Sequence, residues 1–151
     1  MRKATNSLTL RERALGYLAR REHSYRELYR KLHPYAEEAD DLAALLDDFK
    51  QRGWLSDERF AEQVVHARRG RYGSLKVAHE LREKGVADGV AERAVAALDD
   101  LDGARSVWQK KYGKLPESRE EWAKQARFLQ SRGFGFDVIK RVLKGMPGDD
   151  Q

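Results

Sequence analysis

The chain has 151 residues, of which 40% are hydrophobic and 36% are charged, and its formal net charge at pH 7 is +5. This apolar fraction is low for a compact globule and too high for a disordered chain, but it suits helices that each bury one stripe. The absence of cysteine excludes a disulfide framework, a thiolate zinc site and a cysteine nucleophile. No apolar run follows Arg2 and Lys3, and none approaches the roughly 18 residues of a membrane span, so we expect a cytoplasmic protein.

Apolar residues recur at helical spacing along the whole chain. Tyr25, Leu28, Tyr29 and Leu32, for example, fall at i, i+3, i+4 and i+7. No stretch alternates strictly between apolar and polar residues, so we predict no strands. In chain order, the predicted helices span residues 9–21, 24–33, 37–52, 56–71, 74–84, 88–100, 103–113, 118–132 and 137–145.

Three helix starts carry a capping box, in which a hydroxyl residue precedes a glutamate by three positions. The pairs are Thr9 with Glu12, Ser24 with Glu27, and Ser118 with Glu121. Ser56 precedes two acidic residues, which the helix dipole favours in a first turn. Ser74 is predicted to cap the helix that follows it.

Three helix ends share a basic residue, a glycine and an apolar residue. They are Arg52-Gly53-Trp54, Lys84-Gly85-Val86 and Arg132-Gly133-Phe134. Glycine adopts the left-handed conformation of a Schellman cap, which also predicts an apolar contact five residues back. The partners there are Phe49, Leu81 and Leu129, and all three are apolar. Gly16, by contrast, lies inside the first helix, where close packing is one explanation for it.

The nine predicted helices fall into three groups of three. We expect triplets at residues 8–55, 56–100 and 101–146, followed by a disordered tail at 147–151. The repeat period of about 45 to 50 residues is within the range of helical arrays. The predicted fold is therefore all-α, with three tandem degenerate three-helix repeats that form an elongated, curved array.

The net charge changes sign along the chain. It is +6 over residues 1–36, −6 over 37–62, +4 over 63–86, −4 over 87–103 and +7 over 104–148. Solvated helix faces explain any single block, whereas alternation in register with the helices favours a surface with separate basic and acidic regions.

Patterns typical of catalysis or metal binding are weak. The histidines are His23, His33, His66 and His79, and no two of them lie at i, i+3 or i+4. His79-Glu80 begins like a zinc-protease motif, but position 83 is glutamate instead of the second histidine. The glycines beside Tyr72 lack the preceding strand and the lysine of a phosphate loop. We expect no enzyme activity, no metal and no cofactor.

A basic turn is the best candidate for a binding site. Arg68, Arg69, Arg71 and Lys76 surround Gly70, Tyr72 and Gly73. Such a turn can hold phosphates while Tyr72 stacks on a base, but a solvated loop with Tyr72 packed on the core is an equal alternative. The other candidates, chosen from charge and position, are Arg20, Arg21, Lys84, Arg132, Lys140 and Arg141. The three tryptophans are expected in the core.

Four stretches in a fixed order carry a family resemblance. They are residues 14–19 leading to Ser24 and Glu27-Leu28, residues 53–61, residues 68–73 followed by 80–86, and residues 128–134. Over about residues 8–145 the chain resembles the RecX family, regulators of the bacterial recombinase RecA. One turn departs from the family pattern, because His33-Pro34-Tyr35 stands where the family carries a basic residue, a glycine and an apolar residue. Proline still ends the helix, and Tyr35 is expected to fill the apolar position.

The resemblance implies a modulator that lies in the groove of the RecA–DNA filament and blocks filament extension, strand exchange or ATPase activity, and we expect the protein to be a monomer. Its implied partners are the RecA filament and single- or double-stranded DNA. One alternative is a DNA-binding protein that reads sequence through a recognition helix, although the helix after Gly85 begins with acidic and small residues, which argues against groove reading. Another is a helical protein adaptor without DNA contact, which predicts no salt-dependent DNA affinity.

Overall fold

The computed structural model describes residues 8–145. Within this range the chain forms nine α-helices and no strand, which confirms the predicted all-α fold. The helices are α1 (Leu10–Arg20), α2 (Tyr25–Leu32), α3 (Ala39–Gln51), α4 (Asp57–Arg68), α5 (Ser74–Glu83), α6 (Asp88–Val95), α7 (Asp100–Lys111), α8 (Arg119–Ser131) and α9 (Phe136–Leu143). The tail expected at 147–151, together with residue 146, lies outside the described residues.

The boundary between α6 and α7 differs from the prediction. Helix α6 ends at Val95 and α7 begins at Asp100, whereas the spacing of apolar residues predicted an end at 100 and a start at 103. Asp99 explains the difference, because its carboxylate accepts the amide of Asp102 at 3.0 Å and caps α7. Aspartate is favoured at the N-cap of a helix and disfavoured in the helix interior.

Three separate clusters of buried apolar residues form the core. Each cluster lies within one group of three consecutive helices: α1–α3, α4–α6 or α7–α9. The bounds between the triplets stay predictions, but the separate cores make each triplet a unit that must be held to the next by interface contacts.

All three predicted glycine caps are present. Gly53, Gly85 and Gly133 have φ angles of 77°, 87° and 94°, which side chains disfavour. The following amides of Trp54, Val86 and Phe134 donate to the carbonyls of Phe49, Leu81 and Leu129 at 2.9, 3.0 and 3.2 Å. Those three carbonyl residues are fully buried, so each cap fastens a helix end to the centre of a core.

The capping boxes at Thr9 and Ser24 are complete, but the third box is only half formed. Ser118 accepts the Glu121 amide at 3.1 Å. The Glu121 carboxylate, however, accepts the amide of Glu117 at 2.7 Å, one residue before the expected donor. The carboxylate therefore fastens the loop that enters α8.

The turn that departs from the RecX family pattern forms a 3₁₀ helix at His33–Tyr35. Proline fits its first positions because the missing N–H has no partner there. Tyr35 does not fill an apolar position as predicted. Its side chain is 49% exposed, and the Arg13 guanidinium lies 3.7 Å from its ring centroid.

The first interface between triplets, which we call the first joint, sets the start of α2 against α4 and the end of α5. The hydroxyl of Ser24 donates to the carbonyl of Lys84 at 2.7 Å. The amide of Tyr25, the first residue of α2, donates to the carboxylate of Asp57, the first residue of α4, at 2.8 Å.

The second joint repeats this arrangement one triplet further on. The amide of Gly73 donates to the carbonyl of Arg132 at 2.7 Å, and the amide of Ser74 donates to the carboxylate of Asp100 at 3.0 Å. The predicted cap at Ser74 is wrong, because Gly73 is the N-cap and the Ser74 hydroxyl donates to Asp100 instead. A β-carbon at Gly73 would lie 2.7 Å from the ring of Phe134, which leaves no space for a side chain there.

We expect Gly16→Ala and Gly133→Ala to change stability in opposite directions. A β-carbon at Gly16 would have no neighbour within 4 Å, so Gly16 makes no close packing contact, and alanine should raise the free energy of unfolding by about 1 kcal/mol. At Gly133, positive φ and a β-carbon 2.7 Å from the Lys76 amide nitrogen should lower it by about 2 kcal/mol or more. Urea unfolding measures both, and equal effects would contradict the structure.

We also expect Asp100→Ala to lower the free energy of unfolding by about 1–3 kcal/mol, because it leaves the amide and hydroxyl of Ser74 unpaired at the second joint. Asp102→Ala is the matched control, since Asp102 is exposed on the same helix. It should change stability by about 0.5 kcal/mol or less. Equal losses in urea unfolding would mean that the joint does not stabilise the fold.

Candidate binding surface at the joints

Eight of the ten candidate cations lie at the joints or on the turns that enter them. Arg20, Arg21 and Lys84 are at the first joint, and Arg68, Arg69, Arg71, Lys76 and Arg132 are at the second. Lys140 and Arg141 are exposed on α9, where the Lys140 ammonium lies 5.5 Å from the ring centroid of Phe136 at the start of the helix. The predicted site is therefore two basic regions and a separate pair.

One largely buried carboxylate pairs with two cations of the first basic region. Glu27 has a side chain that is 12% exposed, and it pairs with Arg21 at 2.6 Å and Lys84 at 3.5 Å. Burial alone would raise the pKa of Glu27, but the hydrogen bond and charge of Arg21, the Ser24 amide and the charge of Lys84 lower it to about 2. The Lys84–Glu27 pair thus crosses the joint, whereas the Arg21–Glu27 pair lies within the first triplet, and Arg20 is a further exposed cation beside them.

A buried histidine that sequence reasoning did not single out completes this region. His23 is 1% exposed, with Nδ1 3.0 Å from the carbonyl of Arg21 and Nε2 2.9 Å from the ammonium of Lys31. An ammonium group only donates, so Nε2 accepts and Nδ1 carries the proton of a neutral ring. Burial, with the charges of Arg21 and Lys31, lowers the pKa of His23 despite the opposing backbone hydrogen bond and Glu27.

The second basic region is built around Tyr72. Its ring is half-buried against the middle core, with the Lys76 ammonium 5.1 Å and the Arg132 guanidinium 5.3 Å from the centroid. Lys76 also donates to the carbonyl of Ser131 at 3.3 Å, and Arg132 to that of Arg71 at 3.1 Å. Of the two readings of Tyr72, the structure supports the ring that packs back on the core, with cations gathered on it.

The three arginines of the turn differ in how they are bound. Arg68 makes a bidentate ion pair with Glu80, in which its Nε and Nη2 donate to the two carboxylate oxygens at 3.0 and 2.7 Å. Arg69 donates to the carbonyl of Ala97 at 3.2 Å. The exposed guanidinium of Arg71 has no ion pair or hydrogen bond among the described residues. Arg71 is therefore the arginine of the turn that is free to meet a phosphate.

A groove of about 420 Å³ runs beside the turn. Its walls include Arg68, Arg71, Tyr72, Lys76, His79, Glu80 and Glu83. Glu80 is occupied by Arg68, and Glu83 lies 3.2 Å from His79. Arg71 and Lys76 are thus the cations whose charge no carboxylate in this groove neutralises, and an anion entering it would meet them.

The tryptophans expected in the core divide into three cases. Trp122 is 5% exposed and Trp108 is half-buried, with its indole N–H donating to Gln125 at 2.7 Å. Trp54 is 41% exposed, so the prediction that it lies in the core is wrong. Its ring meets Phe49 edge-on, while the guanidinium of Arg52 lies 5.1 Å from its centroid.

Residues 8–145 contain no group of three or more histidine, aspartate or glutamate side chains that could hold a metal ion. Across the same range, no helix is long and apolar enough to cross a membrane.

Comparison with known proteins decides the family. Residues 56–95 match the model of the second three-helix domain of RecX, and residues 99–143 match that of the third. The chain belongs to the RecX family. RecX regulatory proteins of Chromobacterium violaceum and Ralstonia nicotianae are 42% and 44% identical to it, over 97% and 91% of this chain and 97% and 88% of theirs.

Solved RecX structures share the fold. The crystal structure of RecX from Lactobacillus salivarius superposes with a TM-score of 0.78, covering 89% of this chain and 92% of that one. The sequences are only 20% identical, so the likeness concerns the fold and not the cations at the joints. The RecX relatives are named regulatory proteins, a description that names no reaction.

We expect stability to fall as the pH drops below about 6.5 because of His23. Its folded-state pKa lies below the unfolded value of about 6.5, so its contribution is complete above that value and is lost as the pH falls through the folded-state pKa. His23→Gln keeps a donor and an acceptor but does not titrate. Thermal melts should show a smaller pH dependence in this variant, and equal slopes would contradict the assigned neutral ring.

Proposed function

We propose that the chain is an inhibitor of RecA that binds the RecA–DNA filament in its groove and blocks filament extension, strand exchange or ATPase activity. The observation that carries the proposal is membership of the RecX family over nearly the whole chain. The RecX resemblance implies this activity, and the positions of the basic side chains are consistent with it.

The cations recur at equivalent places along the array. Each joint sets the C-terminal end of a helix, with a basic C-cap at Lys84 or Arg132, against the start of the second helix of the preceding triplet. Repeated basic joints in consecutive triplets suit a ligand that repeats its negative charges along a line, as a nucleic-acid backbone does. We infer that DNA in the filament contacts the second joint through Arg71 and Lys76.

Titration onto RecA filaments tests the proposed inhibition. We expect DNA-dependent ATPase activity and strand exchange to fall as the protein is added, with binding to filaments stronger than to the same DNA alone. Unchanged RecA activities at an equimolar or higher protein concentration would refute the proposal. Equal affinity for bare DNA and for filaments, without loss of RecA activity, would instead favour a simple DNA-binding protein.

We expect Arg71→Ala to weaken DNA binding and to reduce the slope of log K against log salt concentration by about 1, because one phosphate contact is lost. Stability should change by about 0.5 kcal/mol or less, since the side chain is exposed. Fluorescence anisotropy with labelled single-stranded DNA at several salt concentrations measures the slope.

Arg93→Ala is the matched control, because Arg93 is also exposed but lies in the acidic block of residues 87–103. Removing its charge should leave the salt slope unchanged. If both variants reduce the slope equally, the effect belongs to net charge and not to the turn, and the DNA contact at Arg71 is wrong.

A further inference from the structure

The two most exposed large apolar side chains of the described residues converge on one point. Leu75 is 62% exposed and Phe136 is 61% exposed. A β-carbon at Gly135 would lie 4.0 Å from Leu75 Cδ1, and Phe136 follows Gly135 in the chain. An apolar surface therefore crosses from α5 to the start of α9, over the second joint, and exposed apolar surface of this kind is typical of a contact with another protein.

A cavity of about 230 Å³ opens beside Phe136, between α8 and α9. It is lined by Trp122, Ala126, Arg127, Gln130, Phe136 and Ile139, among others. The Phe136 ring meets the indole of Trp122 at a tilt of 70°, with 6.2 Å between their centroids. The lining is mainly apolar, and the volume suits one aliphatic or aromatic side chain of a partner. We call Leu75, Phe136 and this cavity the apolar patch.

The Trp122 indole N–H is a buried donor without a partner among the described residues. The side chain is 5% exposed, and its Nε1 is the buried side-chain nitrogen or oxygen atom among residues 8–145 that has no hydrogen-bond partner. The Trp108 indole, in the same triplet, is satisfied by Gln125. Buried donors are almost always paired, so this unpaired N–H distinguishes Trp122 from the other residues that line the cavity.

Charges around the apolar patch favour an acidic partner. Arg127 lines the cavity, and the Lys140 ammonium lies 5.5 Å from the Phe136 ring centroid. Asp137, next to Phe136, is an acidic neighbour. The surrounding block, residues 104–148, has a net charge of +7. Carboxylates that flank an apolar side chain would therefore be attracted to this surface.

We propose that the apolar patch docks an acidic protein segment, which inserts one apolar side chain into the cavity beside Phe136. Arg127 and Lys140 then meet its carboxylates. The inference rests on the proposed function and deepens it, because it assigns the protein contact in the filament to this patch while Arg71 and Lys76 meet DNA. The mainly apolar cavity beside Phe136 favours an inserted protein side chain, and a base stacked on the exposed Phe136 ring is the alternative that the affinity for DNA alone distinguishes.

Phe136→Ala and Arg127→Glu test the docking site. Each is expected to weaken binding to RecA filaments about tenfold or more, as loss of a central anchor or reversal of a complementary charge does at a protein interface. Phe136→Ala should leave the affinity for single-stranded DNA alone unchanged. Filament and DNA affinities are measured by anisotropy on the same labelled oligonucleotide, with and without RecA, after thermal melts establish that the variants fold.

Leu15→Ala is the matched control, because Leu15 is an exposed apolar residue of the first triplet, 40% exposed and away from the patch. It should bind filaments as the unmodified chain does. Unchanged filament affinity of Phe136→Ala would overturn the docking site, and an equal loss for bare DNA would assign the patch to DNA instead. Failure of the unmodified chain to bind RecA filaments would refute the proposed function itself. The comparison between variants tests the docking site only.

Discussion

Each triplet is held to the next by an aspartate at the first residue of one helix that accepts the first amide of another. Asp57 does this for Tyr25 and Asp100 for Ser74. The carboxylate lies between two helix N-termini, whose dipoles both favour negative charge, and it satisfies an amide that the helix itself leaves unpaired. Because the three cores are separate, the relation between triplets depends on these contacts more than on a shared interior.

The cations follow from the same constraint. Each joint brings a helix start of one triplet against a helix end of the next, and the carbonyl-rich end of a helix stabilises basic residues. Lys84 and Arg132 occupy this position. Each is followed by a glycine at a site that has no space for a side chain. A β-carbon at Gly85 would lie 2.7 Å from Arg26 Cβ, as one at Gly133 would meet Lys76. Basic side chains thus lie where the backbones of neighbouring triplets approach closely, and the packing of the helices alone accounts for their position there.

Local rules in the sequence predicted the features that depend on a few neighbouring residues. The nine helices, the Schellman caps and the two complete capping boxes belong to this class. Ser74 was misassigned because its partner, Asp100, is 26 positions away and becomes adjacent only through the joint. The role of His23 was missed for the same reason. Its burial depends on packing between elements, although its position next to a capping serine was a signal that a helix start lay close by.

The number of cations is a poor guide to what this surface attracts. Glu27 pairs with both Arg21 and Lys84, and Glu80 accepts two hydrogen bonds from Arg68, so these side chains would have to give up an ion pair before they met a phosphate. Exchange of one charged partner for another yields little net free energy, whereas an exposed cation without a partner gives up only water. This difference separates the structural cations of the joints from Arg71 at the groove and Lys140 beside the apolar patch. Two ligands of different chemistry, a phosphate chain and an acidic protein segment, therefore require only a few of the basic residues that the sequence displays.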